Sequence, residues 1–216
     1  MSNVKRALLL AGGWQGHQPE AVARLFSQAL AQQGFHTQIE TSLDILDDLQ
    51  TLASLHVLIP CWTMGTLSAP KTANLTTAVR NGLGLAGCHG GMGDAFRGNT
   101  DYEWMVGGHF VGHPHVGDYT IHCRRPDHPA MRSFPRQLPY RSEQYYMLVD
   151  PGNDILADTE YTHEQRTCSM PVVWTKTWGQ GRVFYSALGH AVEEFSDYPE
   201  VLDLMVNGIT WACRTT

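Results

Sequence analysis

The chain has 216 residues, 43% of them hydrophobic and 17% charged, enough for one sizeable core and in keeping with a single domain over residues 1–216. Its 15 basic and 21 acidic residues leave a formal net charge of -6. No Lys/Arg cluster of the kind that neutralises phosphates or anionic lipid is present, so nucleic acid and membrane surfaces are excluded as expected partners.

The N-terminal stretch "MSNVKRALLLAGG" has a basic pair before an apolar run that is too short to span a membrane and lacks a small-residue cleavage site. "RALLLA" (6–11), closed by Gly12 and Gly13, reads instead as a strand buried on both faces. Pro19 then opens a helix in which Val22, Leu25, Phe26, Ala29 and Leu30 recur at helical spacing, until Gly34 ends it. The unit repeats: "FHTQIET" is the next strand, Asp44 to Leu55 a helix, and "HVLIP" a buried strand stopped by Pro60. Ser68 and Pro70 mark another helix start, with Leu75, Ala78 and Val79 on its inner face, and "LGLAG" follows as a strand.

Strands alternating with helices across short loops predict a parallel sheet covered on both sides, with ligands bound beyond the carboxyl ends of the strands. From Tyr119 on, short extended pieces take over: "YTIHC", "DILADTEY", "PVVWTKT" and "RVFYSAL". The pair flanking "WGQG" reads as a hairpin and Pro199 to Cys213 as a closing helix, so the second half is expected to extend the same sheet. Five cysteines without CxxC spacing argue against a disulfide framework and a zinc ribbon, and for a reducing cytoplasm. Cys61, Cys123, Cys168 and Cys213 are expected to be small buried side chains.

Four of the 11 histidines follow a predicted strand or lie in a glycine-rich loop: His17, His89, His113 and His190. Independent core histidines have no reason to choose one edge, so a cluster is expected there. Clustered imidazoles bind a divalent metal or pass protons near neutral pH, and the spacing does not choose between these. His36, His56, His122, His128 and His163 read as strand or surface residues, and "HPH" at 113–115 carries little weight. Glu143, in "RSEQYYML", is the best-placed carboxylate to orient a histidine, ligate a metal or act as a base. Trp14 and Trp62 fall in strand-end loops, where flat aromatic faces stack on sugar rings.

"GLAGCHGG" (84–91) runs a strand into a glycine-rich turn, the pattern of a nucleophile elbow whose central residue takes a strained conformation between glycines. Centring on Cys88 gives Ala86 and Gly90 as flanks; centring on His89 gives Gly87 and Gly91, the better fit. These motifs, with "GGWQGH", "AFRGNTDYEWMVGGHFVGHP", "RPDHPAM", "SEQYYML" and "PVVWTKTWGQGRVFYSALGH", resemble the ThuA-like (trehalose utilisation) family of the class I glutamine amidotransferase-like fold. The resemblance implies a three-layer α/β/α sandwich with a mostly parallel, flavodoxin-like sheet.

It also implies that His89 takes the elbow place held by cysteine in true amidotransferases, and His190 the triad histidine place. An imidazole cannot form the thioester intermediate, so glutamine hydrolysis is not expected. The family's association with disaccharide breakdown, often beside sugar dehydrogenases that make 3-keto sugars, implies a carbohydrate role. The expected catalytic residues are His89, His190 and Glu143, with Trp14, Trp62, Gly90 and Gly91 binding substrate and His17 and His113 holding a divalent metal such as zinc. No nucleotide cofactor is implied. A carbonyl at C3 of a keto-glycoside acidifies the C2 hydrogen, so acid–base or metal-assisted isomerisation, elimination or glycoside cleavage is the expected chemistry. A metal-dependent hydrolase and a non-catalytic sugar-binding protein are the alternatives. The aromatic second half could also supply a surface for a homo-oligomer.

Overall fold

A computed structural model describes residues 4–214. "RALLLAGG" forms β1 (Arg6–Gly13), in which Ala7 to Ala11 are all buried. The polar edge strand β2 (His36–Glu40) and the apolar β3 (Val57–Thr63) and β4 (Gly84–Cys88) join it in the sheet, with α1 (Pro19–Gln32) and α3 (Ala69–Arg80) as crossovers. Between β2 and β3 the expected single helix is divided into a 3-10 turn (Leu43–Asp47) and α2 (Leu49–Ser54). Asp48 is the cause, because its carboxylate accepts from the Gln50 and Thr51 amides and starts a new helix.

After β4 come α4 (His89–Gly93), α5 (Thr100–Val106) and two long strands, β5 (Gly108–Cys123) and β6 (Gln137–Val149). The chain continues through β7 (Asp154–His163), β8 (Arg166–Trp178), β9 (Gly181–Ser186), α6 (Glu194–Asp197) and α7 (Pro199–Ala212). The nine strands make one sheet in the order β2-β1-β3-β4-β9-β8-β7-β5-β6. Helices α1 and α7 pack together along one stretch of it, and α3 and α5 along another. No helix among the described residues is long and apolar enough to cross a membrane.

The sheet is mixed, and this corrects the expectation of a mostly parallel one. β2, β1, β3, β4 and β9 pair in parallel, but every pairing from β9 through β8, β7 and β5 to β6 is antiparallel. The physical reason lies in the connections. Only Gly179 and Gln180 separate β8 from β9, and only Glu164 and Gln165 separate β7 from β8. A two-residue link makes a hairpin and is far too short for a parallel crossover. Glu164 and Gln165 both take positive φ (46° and 64°), as the twist of such a turn demands.

β4 and β6 lie five places apart in the strand order, yet side chains of β6 touch the residue that follows β4. The antiparallel half therefore curls back over the carboxyl ends of the parallel half. Cys61, Cys88, Cys123 and Cys213 are buried, whereas Cys168 is exposed on β8, contrary to its expected burial. It sits next to the β7–β8 turn, outside the stretch of β8 that the core covers. Burial pushes the Cys61 thiol up to about 12 and also raises the Cys88 thiol well above its ordinary value.

Two outcomes follow. Mild alkylation of the native protein at pH 8 should add a single label at Cys168, read by intact and peptide mass; labelling of Cys88 would show that the elbow is open. Gly84→Ala should lower the melting temperature by roughly 2–10 °C, because its Cβ would lie 2.3 Å from the Ala212 carbonyl oxygen.

Candidate active site

Four of the parallel strands supply the site: His17 follows β1, Thr63 ends β3, His89 follows β4 and His190 follows β9. At the end of β4 the strained position falls on His89, with φ +46°, while Cys88 is extended at φ -136°. A non-glycine residue seldom adopts a left-handed backbone. The turn closes so tightly that a Cβ on Gly87 would meet Met92 at 2.7 Å, and one on Gly90 would meet the His17 ring at 2.4 Å. Those glycines let His89 turn and let His17 approach it.

His89 is then held from three sides. Its Nδ1 lies 2.9 Å from the Ala187 carbonyl oxygen, which can only accept, so Nδ1 carries a hydrogen and Nε2 is the nitrogen turned toward Glu143 and His190. The ring of Tyr145 lies against it at 3.9 Å between centroids, and the Tyr185 hydroxyl donates to its backbone carbonyl. The side chain is only 3% exposed. Glu143 Oε2 lies 3.2 Å from His89 Nε2, His190 Nδ1 lies 3.3 Å from the same nitrogen, and the remaining side of the triangle measures 3.4 Å.

His190 follows β9, and Glu194 anchors its loop. The Glu194 carboxylate accepts from the His190 amide at 3.1 Å, from Ser142 Oγ at 2.7 Å and from the Tyr140 hydroxyl. Ser142 and Tyr140 belong to β6, the strand that carries Glu143, so one carboxylate registers both contributors to the triangle. His17 enters from the loop after β1, with Nδ1 2.8 Å from Thr63 Oγ1 and its ring edge-on to His89 and His190.

Burial, then the neighbouring His89 and His190 charges, lower the His17 pKa to about 3, so it is neutral at pH 7. Burial raises Glu143, but hydrogen bonds from His190 and His89 outweigh it and hold the carboxyl well below the usual range. The same bond to Glu143 raises His190.

Ligand atoms of His17, His89, Glu143 and His190 all lie within 4.8 Å of one another. His113 stands at the rim, 44% exposed, with Nε2 3.6 Å from the other carboxylate oxygen of Glu143. Trp14 is exposed and edge-on to His17. Trp62 packs over Gly12 and Gly65 and faces Phe96, Gly90 lies against His17, and Gly91 lies against the Cys61 backbone. Sequence reasoning missed Tyr145, Thr63 and Glu194. Tyr145 carried a usable signal, because it lies two residues from Glu143 on a strand and so shares its face.

The three edges of 3.2–3.4 Å match one face of a tetrahedron whose centre lies about 2.0–2.1 Å from each corner, the bonding distance of zinc to nitrogen and oxygen, with His17 within 4.8 Å of all three. Three acceptor atoms gathered this closely need a proton or a cation between them. The donor set of imidazoles and one carboxylate suits a divalent transition metal.

No curated protein matches this chain. A putative ThuA-like protein from Bacteroides uniformis is 18% identical, with TM-score 0.79 over 98% of this chain and 93% of its own. A putative ThuA-like protein from Parabacteroides merdae is also 18% identical, with TM-score 0.77 over 97% and 90%. A cytoplasmic protein from Salmonella typhimurium is 13% identical, with TM-score 0.67 over 98% and 100%. These likenesses are of fold. The family model for ThuA, trehalose utilisation, matches residues 6–212, and the chain belongs to the ThuA family.

Proposed function

We propose that this protein is a metal-assisted enzyme of carbohydrate catabolism acting on a keto-disaccharide or related keto-sugar. His89, Glu143 and His190 hold a divalent cation such as zinc, and His17 is the fourth ligand. The observation that carries this reading is the triangle of 3.2, 3.3 and 3.4 Å between their acceptor atoms. The family's description supplies the substrate class.

The roles divide by exposure. His89, 3% exposed, is the floor of the site and is too enclosed to meet a sugar carbon directly. Its bond to Ala187 sets the tautomer that presents Nε2. Glu143 and His190 are more open, at 15% and 31%. His113, the most accessible of these groups, moves the proton at C2 from its place beside Glu143. A bound cation supplies Lewis acidity toward the oxygens of the keto-sugar and stabilises the charge that develops when the C2 hydrogen leaves.

The reading places the protein in the cytoplasm, where unpaired thiols stay reduced; the Salmonella typhimurium protein of like fold is itself described as cytoplasmic. A sugar dehydrogenase that oxidises C3 is the class of enzyme that must supply the substrate.

The test is turnover of a 3-keto-disaccharide by purified protein. His89→Ala should lower the rate by about a hundredfold or more while circular dichroism stays unchanged, and chelation should do the same to the wild type with recovery on adding zinc. Undiminished turnover in His89→Ala would sink the assignment. Saturable sugar binding without any product would favour a non-catalytic binding protein.

A further inference from the structure

Tyr145 and Arg97 border the cluster, and none of the roles above uses the tyrosine hydroxyl or the guanidinium. One face of Tyr145 is covered by His89, and Phe110 packs against the ring at 4.5 Å. The residue is 4% exposed, but its hydroxyl is not among the enclosed polar atoms left without a partner and reaches the surface. Every other hydroxyl in the surrounding tyrosine group, at Tyr119, Tyr140 and Tyr185, has a protein partner. A hydroxyl that reaches the surface without a protein partner is open to water or a ligand.

Arg97 stands across the same Phe110 ring, its guanidinium carbon 5.7 Å from the centroid. His113 borders that ring too, at 5.9 Å, so Phe110 and His113 link Arg97 to Glu143. Both carboxylate oxygens of buried Asp94 grip the Arg97 Nε and Nη2 edge, and these bonds, with Tyr145 adding to them, raise its pKa. The backbone that presents it is strained: Phe96, fully buried, takes φ +54°, held by a bond from its amide to the Met64 carbonyl. Beyond Arg97 opens a cleft of about 390 Å³ lined by Thr66, Thr72, Phe96, Asn99 and Thr100, a size ordinary for small-molecule sites.

Charge decides what this edge takes. Asp94 already neutralises Arg97, and Glu143 adds a negative charge nearby. The remaining Nη1 and Nη2 hydrogens are therefore donors on a pair with no net charge, suited to neutral oxygens and poorly suited to another acid. We propose that Arg97 and Tyr145 form a subsite for a neutral vicinal diol of the saccharide, and that it selects neutral sugars over acidic ones. The subsite rests on the carbohydrate reading above, and it assigns that reading a substrate class.

The experiment is calorimetric titration of the zinc-loaded protein with trehalose and, separately, with glucuronate. Wild type, Tyr145→Phe and Arg97→Lys are compared, with zinc content measured on each. Tyr145→Phe keeps the ring that backs His89, and Arg97→Lys keeps a cation beside Asp94, so both should fold. Trehalose should bind saturably and more tightly than glucuronate. Each variant should weaken trehalose by about fivefold to twentyfold with zinc content unchanged. Variants that bind trehalose as the wild type does, a preference for glucuronate, or no binding of trehalose by the wild type would overturn the subsite. The predicted binding pattern without turnover of a keto-disaccharide would leave the subsite standing and defeat the enzymatic reading alone.

Discussion

The bond from His89 Nδ1 to the Ala187 carbonyl organises the site. It joins the end of β4 to the end of β9, two adjacent parallel strands, and in doing so it fixes which imidazole nitrogen faces Glu143 and His190. A left-handed histidine costs about 1–2 kcal/mol of backbone strain. Stacking on Tyr145 and the hydrogen bonds to Ala187 and from Tyr185 offset a penalty of that size. The strain persists because the surrounding turn is crowded on every side, with His17 against Gly90 and Met92 against Gly87.

The curl of the sheet supplies the rest. A flat nine-stranded sheet would leave β6 far from β4, but here its one face brings Glu143 and Tyr145 to the elbow together. Glu194 then locks the two halves, since its carboxylate binds Ser142 and Tyr140 on β6 as well as the His190 amide. The parallel half thus provides three imidazoles from strand ends, and the antiparallel half provides the carboxylate that gathers them. Divided labour of this kind explains why the site is rigid at its floor and open at the His113 rim.

Much of this was legible in residue order. Buried apolar runs mark β1, β3 and β4 in the sequence, and the glycines about Cys88 and His89 single out the residue that bears the strained φ. Residues 17, 89, 143 and 190 read in the sequence as strand-end or cleft groups, and in the fold they come together. His113 is near them but stands on the outer oxygen of Glu143, because bulges at Phe110 to Gly112 and Gly112 to His115 shift the register of β5. What was not legible depends on contacts between distant segments. The Glu194 network spans more than 50 positions, and the mixed sheet follows from hairpin links whose positive-φ residues, Glu164 and Gln165, lack the glycine that announces such turns.

The central claim is that three acceptor atoms 3.2–3.4 Å apart are spaced by a cation that belongs between them. Anomalous diffraction at the zinc edge from crystals grown with zinc tests it most directly. The account predicts one strong peak per chain, about 2.0–2.1 Å from His89 Nε2, His190 Nδ1 and Glu143 Oε2. Crystals with no peak at that triangle, or with zinc bound only elsewhere on the molecule, would contradict it.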